Sequence, residues 1–107
     1  MKYAVFLVSD AERDLIDIFD YVAKNDSLEQ AREILARLEK TILALESLPN
    51  RGNHPPELER IGLIDYREIH EPPYRILYQV RKAEVFVHCV LDSRRDLRTI
   101  LLQRLLR

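Results

Sequence analysis

A single cysteine, two glycines and no tryptophan occur in 107 residues. One cysteine cannot close a disulfide within the chain, and it excludes a cysteine-based zinc site. Both exclusions suit a reducing compartment, so a cytoplasmic protein is expected. Gly52 and Gly62 stand too far apart to build a glycine-rich nucleotide loop, so no bound nucleotide cofactor is expected, nor any other. No apolar run is long enough to span a membrane. The apolar stretch over 3–8 is too short for a signal peptide and leads directly into charged residues. What is present is 47% apolar and 33% charged, the balance of a soluble globular chain rather than a disordered one. A chain of this length forms one domain, over 1–107, and can bury a workable core without staples.

The net charge of -1 hides an asymmetry. Residues 1–65 hold 8 Lys and Arg against 13 Asp and Glu, whereas residues 66–107 hold 9 against 5. The pattern reads either as solvated helix faces or as an acidic half joined to a basic half that meets something anionic.

The organising stretch is Tyr74-Arg75-Ile76-Leu77-Tyr78-Gln79-Val80, which alternates with the period of a strand. A polar turn over 81–84 joins it to Val85-Phe86-Val87-His88-Cys89-Val90-Leu91, an almost wholly apolar strand. Another strand is expected over 63–70, and Glu71-Pro72-Pro73 turns it into the hairpin. Short turns make these three an antiparallel meander. Ahead of them, residues 2–8 read as a short strand that pairs at a sheet edge or beside the last strand. Ser9 and Glu12 have the spacing of a capping box, and Ser27 and Gln30 repeat it. The two helices they open carry apolar stripes and form an antiparallel hairpin ending near Leu48. Asp10, Asp14, Asp17 and Asp20 fall opposite the first stripe and read as a solvated row, so no metal site is expected there. His54, in a Pro- and Gly-rich loop over 49–62, has no partner at ligand spacing. Ser93 and Asp96 can cap a last helix over 94–107, which leaves Leu102 and Leu106 outside its stripe. The expected order is β-α-α-β-β-β-α. This is an α+β domain with an N-terminal helical hairpin packed on an antiparallel sheet and a C-terminal helix.

Polar residues around the sheet are the candidates for chemistry. They are Arg67, His70, Arg75, His88, Arg94 and Arg95. Arg75 sits mid-strand between apolar neighbours, where a charge needs a carboxylate partner or an open groove. His88 and Cys89 lie in the most apolar strand and read as core residues. Arg94 and Arg95 open a helix, where positive charge opposes the dipole.

Three segments carry a resemblance to a known family. Tyr66-Arg67-Glu68-Ile69, the strand 74–80 and Val90-Leu91-Asp92-Ser93-Arg94-Arg95-Asp96-Leu97 resemble the RelE/ParE superfamily of type II toxin–antitoxin toxins. The resemblance covers essentially the whole chain. It implies a small cytoplasmic toxin, of plasmid-stabilisation type, neutralised by a cognate antitoxin in a hetero-oligomer. Two branches of the superfamily act differently. ParE-like toxins inhibit DNA gyrase by protein–protein contact. RelE-like toxins cleave mRNA on the ribosome, using basic residues for phosphate and an acid/base near the C-terminus. Arg75 matches the strand arginine of both branches. Arg67 falls where RelE-like nucleases often carry a lysine, but their second lysine is Ile69 here. No tyrosine or histidine follows His88. These departures favour the ParE-like branch, with no catalytic residue and with Arg75, Arg94, Arg95, Leu102 and Leu106 as contacts to target or antitoxin. In the alternative endoribonuclease, Arg67, Arg75 and Arg94 hold phosphate and His70 or His88 serves as acid or base.

Overall fold

The computed structural model describes residues 2–105. Strand β1 (Ala4–Leu7) is followed by helices α1 (Ser9–Asn25) and α2 (Leu28–Leu43), and a 3-10 turn over Ala44–Glu46 extends the second. A short helix α3 (Pro56–Glu59) interrupts the crossover loop. Strands β2 (Tyr66–Glu71), β3 (Tyr74–Arg81) and β4 (Glu84–Asp92) follow, and α4 (Leu97–Leu105) ends the order.

The sheet order is β1-β4-β3-β2. The meander β2-β3-β4 is antiparallel, as the short turns require. β1 lies beside β4 and runs parallel to it, so the complete sheet is mixed rather than purely antiparallel. The reason is the hairpin between them: α1 and α2 carry the chain back across the sheet, and the last strand then enters in the direction of the first.

Local signals explain most boundaries. Ser27 caps α2 by accepting from the Gln30 N–H at 3.0 Å. Ser9 does not cap α1. The extended residue Val8 precedes the helix, its N–H donates to the Val87 carbonyl, and the helix starts without an intervening turn. The strand expected from 63 begins at Tyr66, because residues 63–65 belong to the turn after α3. The last helix begins at Leu97 rather than 94. Asp96, not Ser93, takes the capping role, accepting from the Thr99 N–H at 3.3 Å and from its hydroxyl at 2.8 Å.

Two cores lie on opposite faces of the sheet. On the hairpin face, Ala11, Leu38, Ile42 and Leu45 pack on Ile69, Ile76, Tyr78, Val85 and Val87. On the second face, Leu97, Ile100 and Leu101 of α4, with Leu58 of α3, pack on Tyr66, Leu77, Cys89 and Leu91. A bulge decides which face β4 presents. Leu77 opposes Cys89 and Tyr78 opposes Val87, so His88 is the extra residue. Beyond it the alternation shifts by one: Val85 and Val87 belong to the hairpin core, Cys89 and Leu91 to the second.

The crossover loop is docked on β2 through a bridge between Asn53 and Glu68. Gly52 makes the close approach possible. A Cβ there would stand 2.5 Å from the Glu68 carbonyl oxygen and 2.7 Å from the Tyr78 hydroxyl, which accepts the Gly52 N–H at 3.0 Å.

Candidate functional site

The candidate residues do not share one cleft. Arg75 and His70 face a depression of about 430 Å³ between β2, β3 and α3, whose wall includes Glu57, Arg60, Glu68 and Ser93. Arg94 and Arg95 line a different depression of about 380 Å³, with Asp14, Asp17, Tyr21 and Tyr74. Arg67 lines a third, beyond the crossover loop. His88 stands on the sheet itself, half-buried.

Most of them are internally satisfied. Arg75 lies across two carboxylates. Its Nε donates to Glu68 Oε1 at 2.6 Å, and its Nη1 and Nη2 donate to the two oxygens of Glu57 at 2.9 and 2.8 Å. The Glu68 side chain is only 3% exposed. This is a fork-on-carboxylate pairing, the strongest geometry an arginine has. The fork of Arg75 holds the Glu57 carboxyl down at about 2 against the opposing pull of burial, and the Arg75 pKa is raised in return. His70 shares the site through Nε2, 3.1 Å from Glu68 Oε1. Of the two solutions open to a mid-strand arginine, the structure therefore takes the carboxylate partners.

Arg94 folds back on Asp92, with Nε at 3.0 Å from Oδ1 and Nη2 at 2.8 Å from Oδ2. Hydrogen bonds from Arg94 hold the half-buried Asp92 carboxyl at about 2. His88 Nε2 lies 2.8 Å from Gln79 Oε1, and its ring meets Tyr66 edge-on at 5.6 Å between centroids. Burial, then the Arg81 charge, pull its pKa below the ordinary imidazole value. Read as a core residue, His88 is instead half-buried beside Gln79 and Tyr66, because it is the extra residue of the bulge.

Asp14 corrects the reading of an exposed acidic row. It is buried, and both its oxygens are engaged. Oδ1 takes Arg104 Nη2 at 2.6 Å. Oδ2 takes Arg104 Nη1 and the Val90 N–H, each at 2.9 Å. The cause is the length of β1. It pairs with β4 only as far as Val87, so the edge of β4 beyond that point lacks a strand. Asp14 satisfies the Val90 N–H there, and Arg104 Nη1 donates to the His88 carbonyl at 3.2 Å. Among the described residues, no group of three or more His, Cys, Asp or Glu is placed to hold a metal.

The apolar candidates lie elsewhere. Leu102 is 48% exposed, and Leu106 lies outside the described residues. A larger apolar surface runs along the hairpin. Leu7, Leu15, Ile16, Phe19 and Leu35 line a groove of about 440 Å³ edged by Glu12 and Glu39. The sequence did carry a signal for it: Ile16 and Phe19 make the α1 stripe wider than one core face can absorb.

A family model described as the ParE toxin of the type II toxin–antitoxin system parDE matches residues 5–97. The fold is similar to that in a chromosomal ParDE toxin–antitoxin system from P. aeruginosa, with a TM-score of 0.72 and 16% identity over 85% of this chain and 96% of that one. It is also similar to a chain of the RelBE2 toxin–antitoxin complex from Mycobacterium tuberculosis, with a TM-score of 0.65 and 22% identity over 86% of this chain and 99% of that one. No curated protein sequence matches significantly.

Proposed function

From the premise that this chain belongs to the ParE toxin family of type II toxin–antitoxin systems, we propose that it inhibits DNA gyrase by protein–protein contact and cleaves no RNA. The observation that carries this reading is the commitment of Arg75 and Arg94 to carboxylates. A nuclease of this architecture needs arginines free to hold a phosphate that gains charge in the transition state. Here Arg75 is committed to Glu57 and Glu68, and Arg94 to Asp92. His70 stands beside the same Glu68, and Arg67 and Arg94 open onto other depressions. No tyrosine or histidine follows His88 to serve as a late acid or base.

Neutralisation by a cognate antitoxin is part of the same proposal, as is a cytoplasmic, plasmid-stabilising role. Both structural neighbours come from toxin–antitoxin systems. The hairpin groove and exposed Leu102 offer apolar surface that an amphipathic partner helix can cover.

The test combines purified toxin, gyrase and supercoiled or relaxed plasmid with a parallel translating ribosome reaction on labelled mRNA. Toxin-dependent loss of supercoiling or trapped gyrase–DNA cleavage, reversed by antitoxin and without mRNA cuts, is the expected result. Codon-phased mRNA cuts with gyrase untouched would overturn it.

A further inference from the structure

Of the three strand-borne arginines, Arg67 and Arg81 differ from Arg75 in having no carboxylate. Arg67 Nη1 donates to two crossover-loop carbonyls, Gly52 at 2.7 Å and Asn50 at 3.3 Å. Its Nε and Nη2 have no partner among the described residues. Arg81 makes a single long contact, 3.5 Å from Nη2 to Gln79 Oε1. Neither forms an ion pair among the described residues, whereas Arg75 holds two carboxylates.

These two guanidinium groups line the same cleft. Its volume is about 540 Å³, and Asn50, His54 and Gln79 complete its polar wall. His54 is oriented from behind. Its Nδ1 lies 3.1 Å from the Tyr66 carbonyl oxygen, which can only accept, so Nδ1 carries the proton and the other ring nitrogen has no partner among the described residues. The one acid at the cleft, Asp65, is exposed and pairs with neither arginine. Charge at the cleft is therefore net positive. The remaining wall is apolar, made by Val80 and by Ile64, which is 61% exposed.

We propose that this cleft between the crossover loop and the end of β3 binds a phosphate ester of nucleotide size. Arg67 and Arg81 grip the phosphate, and Ile64 and Val80 lie against the sugar or base. Guanidinium donors that lack a carboxylate suit a tetrahedral oxyanion. The volume exceeds what a bare phosphate fills and falls in the range of small-ligand sites, about 300–1,000 Å³. The site is distinct from the neutralised Arg75 depression, and the inference stands whether or not gyrase is the target.

The ester can come from a free nucleotide or from a nucleic-acid strand, and the experiment separates the two. The full chain, labelled with nitrogen-15, is titrated with AMP, with an eight-residue oligothymidylate and with inorganic phosphate, while the arginine side-chain resonances are followed. AMP or the oligonucleotide should shift Arg67 and Arg81 and leave Arg94 in place. Arg81→Gln, at an exposed strand end where folding is not at stake, should weaken that binding about tenfold, as loss of one charge-assisted contact does. Arg94→Gln, outside the cleft, should leave it unchanged. A response to the oligonucleotide alone assigns the site to a strand, and a response to AMP assigns it to a free nucleotide. Equal affinity in Arg81→Gln, or silence of Arg67 and Arg81 with both ligands, would overturn the site. Inorganic phosphate binding as tightly as either ester would overturn the nucleotide-sized occupant.

Discussion

Two arginines are sunk into this small domain, and their sites do different work. Arg104 of α4 reaches Asp14 of α1, ninety residues away in the chain. The pair does more than neutralise charge, because it takes over the edge of β4 that β1 is too short to cover. Arg75 of β3 meets Glu68 of the neighbouring strand and Glu57 of α3. There the carboxylates fill no gap in a backbone ladder: Glu57 serves the arginine, and Glu68 is shared among Arg75, His70 and Asn53. The difference lies in what each carboxylate leaves behind. Without Asp14, the largely buried Arg104 loses its carboxylate and the buried Val90 N–H loses its acceptor. Without one of the two glutamates, Arg75 still has the other.

The comparison breaks most visibly at Asp14. Asp14→Ala should lower the unfolding free energy by about 3–5 kcal/mol, read from urea denaturation, since it strands a buried charge and an unpaired backbone donor together. Glu68→Gln should lower it less, by about 1–3 kcal/mol, because the bidentate grip of Glu57 remains. Equal losses in the two variants would dissolve the distinction between the sites.

Acid sharpens it further. Glu57 titrates near 2 in the folded chain, below its ordinary 4.5. A depressed carboxyl contributes stability that is complete above about 4.5 and disappears as pH falls towards 2. Stability should therefore decline through that window, and Glu57→Gln should flatten the decline. Glu57 is partly exposed, so solvent screening keeps this effect small.

The smallest effect concerns Cys89. Its sulfur lies 3.2 Å from Arg104 Nη1, a neighbour that favours thiolate, yet burial dominates and pushes the thiol up to about 11. A disulfide reagent at pH 8 should leave the folded wild-type chain unmodified. The same reagent should label Asp14→Ala faster if that variant loosens α4 from β4.

The legible part of this molecule was what repeats locally. The alternation in 74–80 and the apolar run in 85–91 located the central strands, and two apolar stripes located the hairpin. That Arg75 needed either a carboxylate or an open groove was also legible, since a mid-strand charge between apolar residues has few other solutions. Its partners were not. Glu57 lies in a loop that sequence signals marked only as turns, and Glu68 differs from any other strand glutamate only by the side chain it faces. Asp14 was misplaced for a related reason. Helical spacing grouped it with Asp10, Asp17 and Asp20, and spacing cannot know that a strand would end nearby.

The sequence by itself determined every element type except the short helix α3, the α+β class and the resemblance to a toxin superfamily, because each rests on periodicity or on contiguous residues. Only the tertiary structure decided that β1 runs parallel to β4, that a bulge at His88 resets which face the last strand shows, and that Arg75 and Arg94 meet carboxylates while Arg67 does not. Those outcomes depend on which distant side chains arrive together, and no local pattern encodes that arrival.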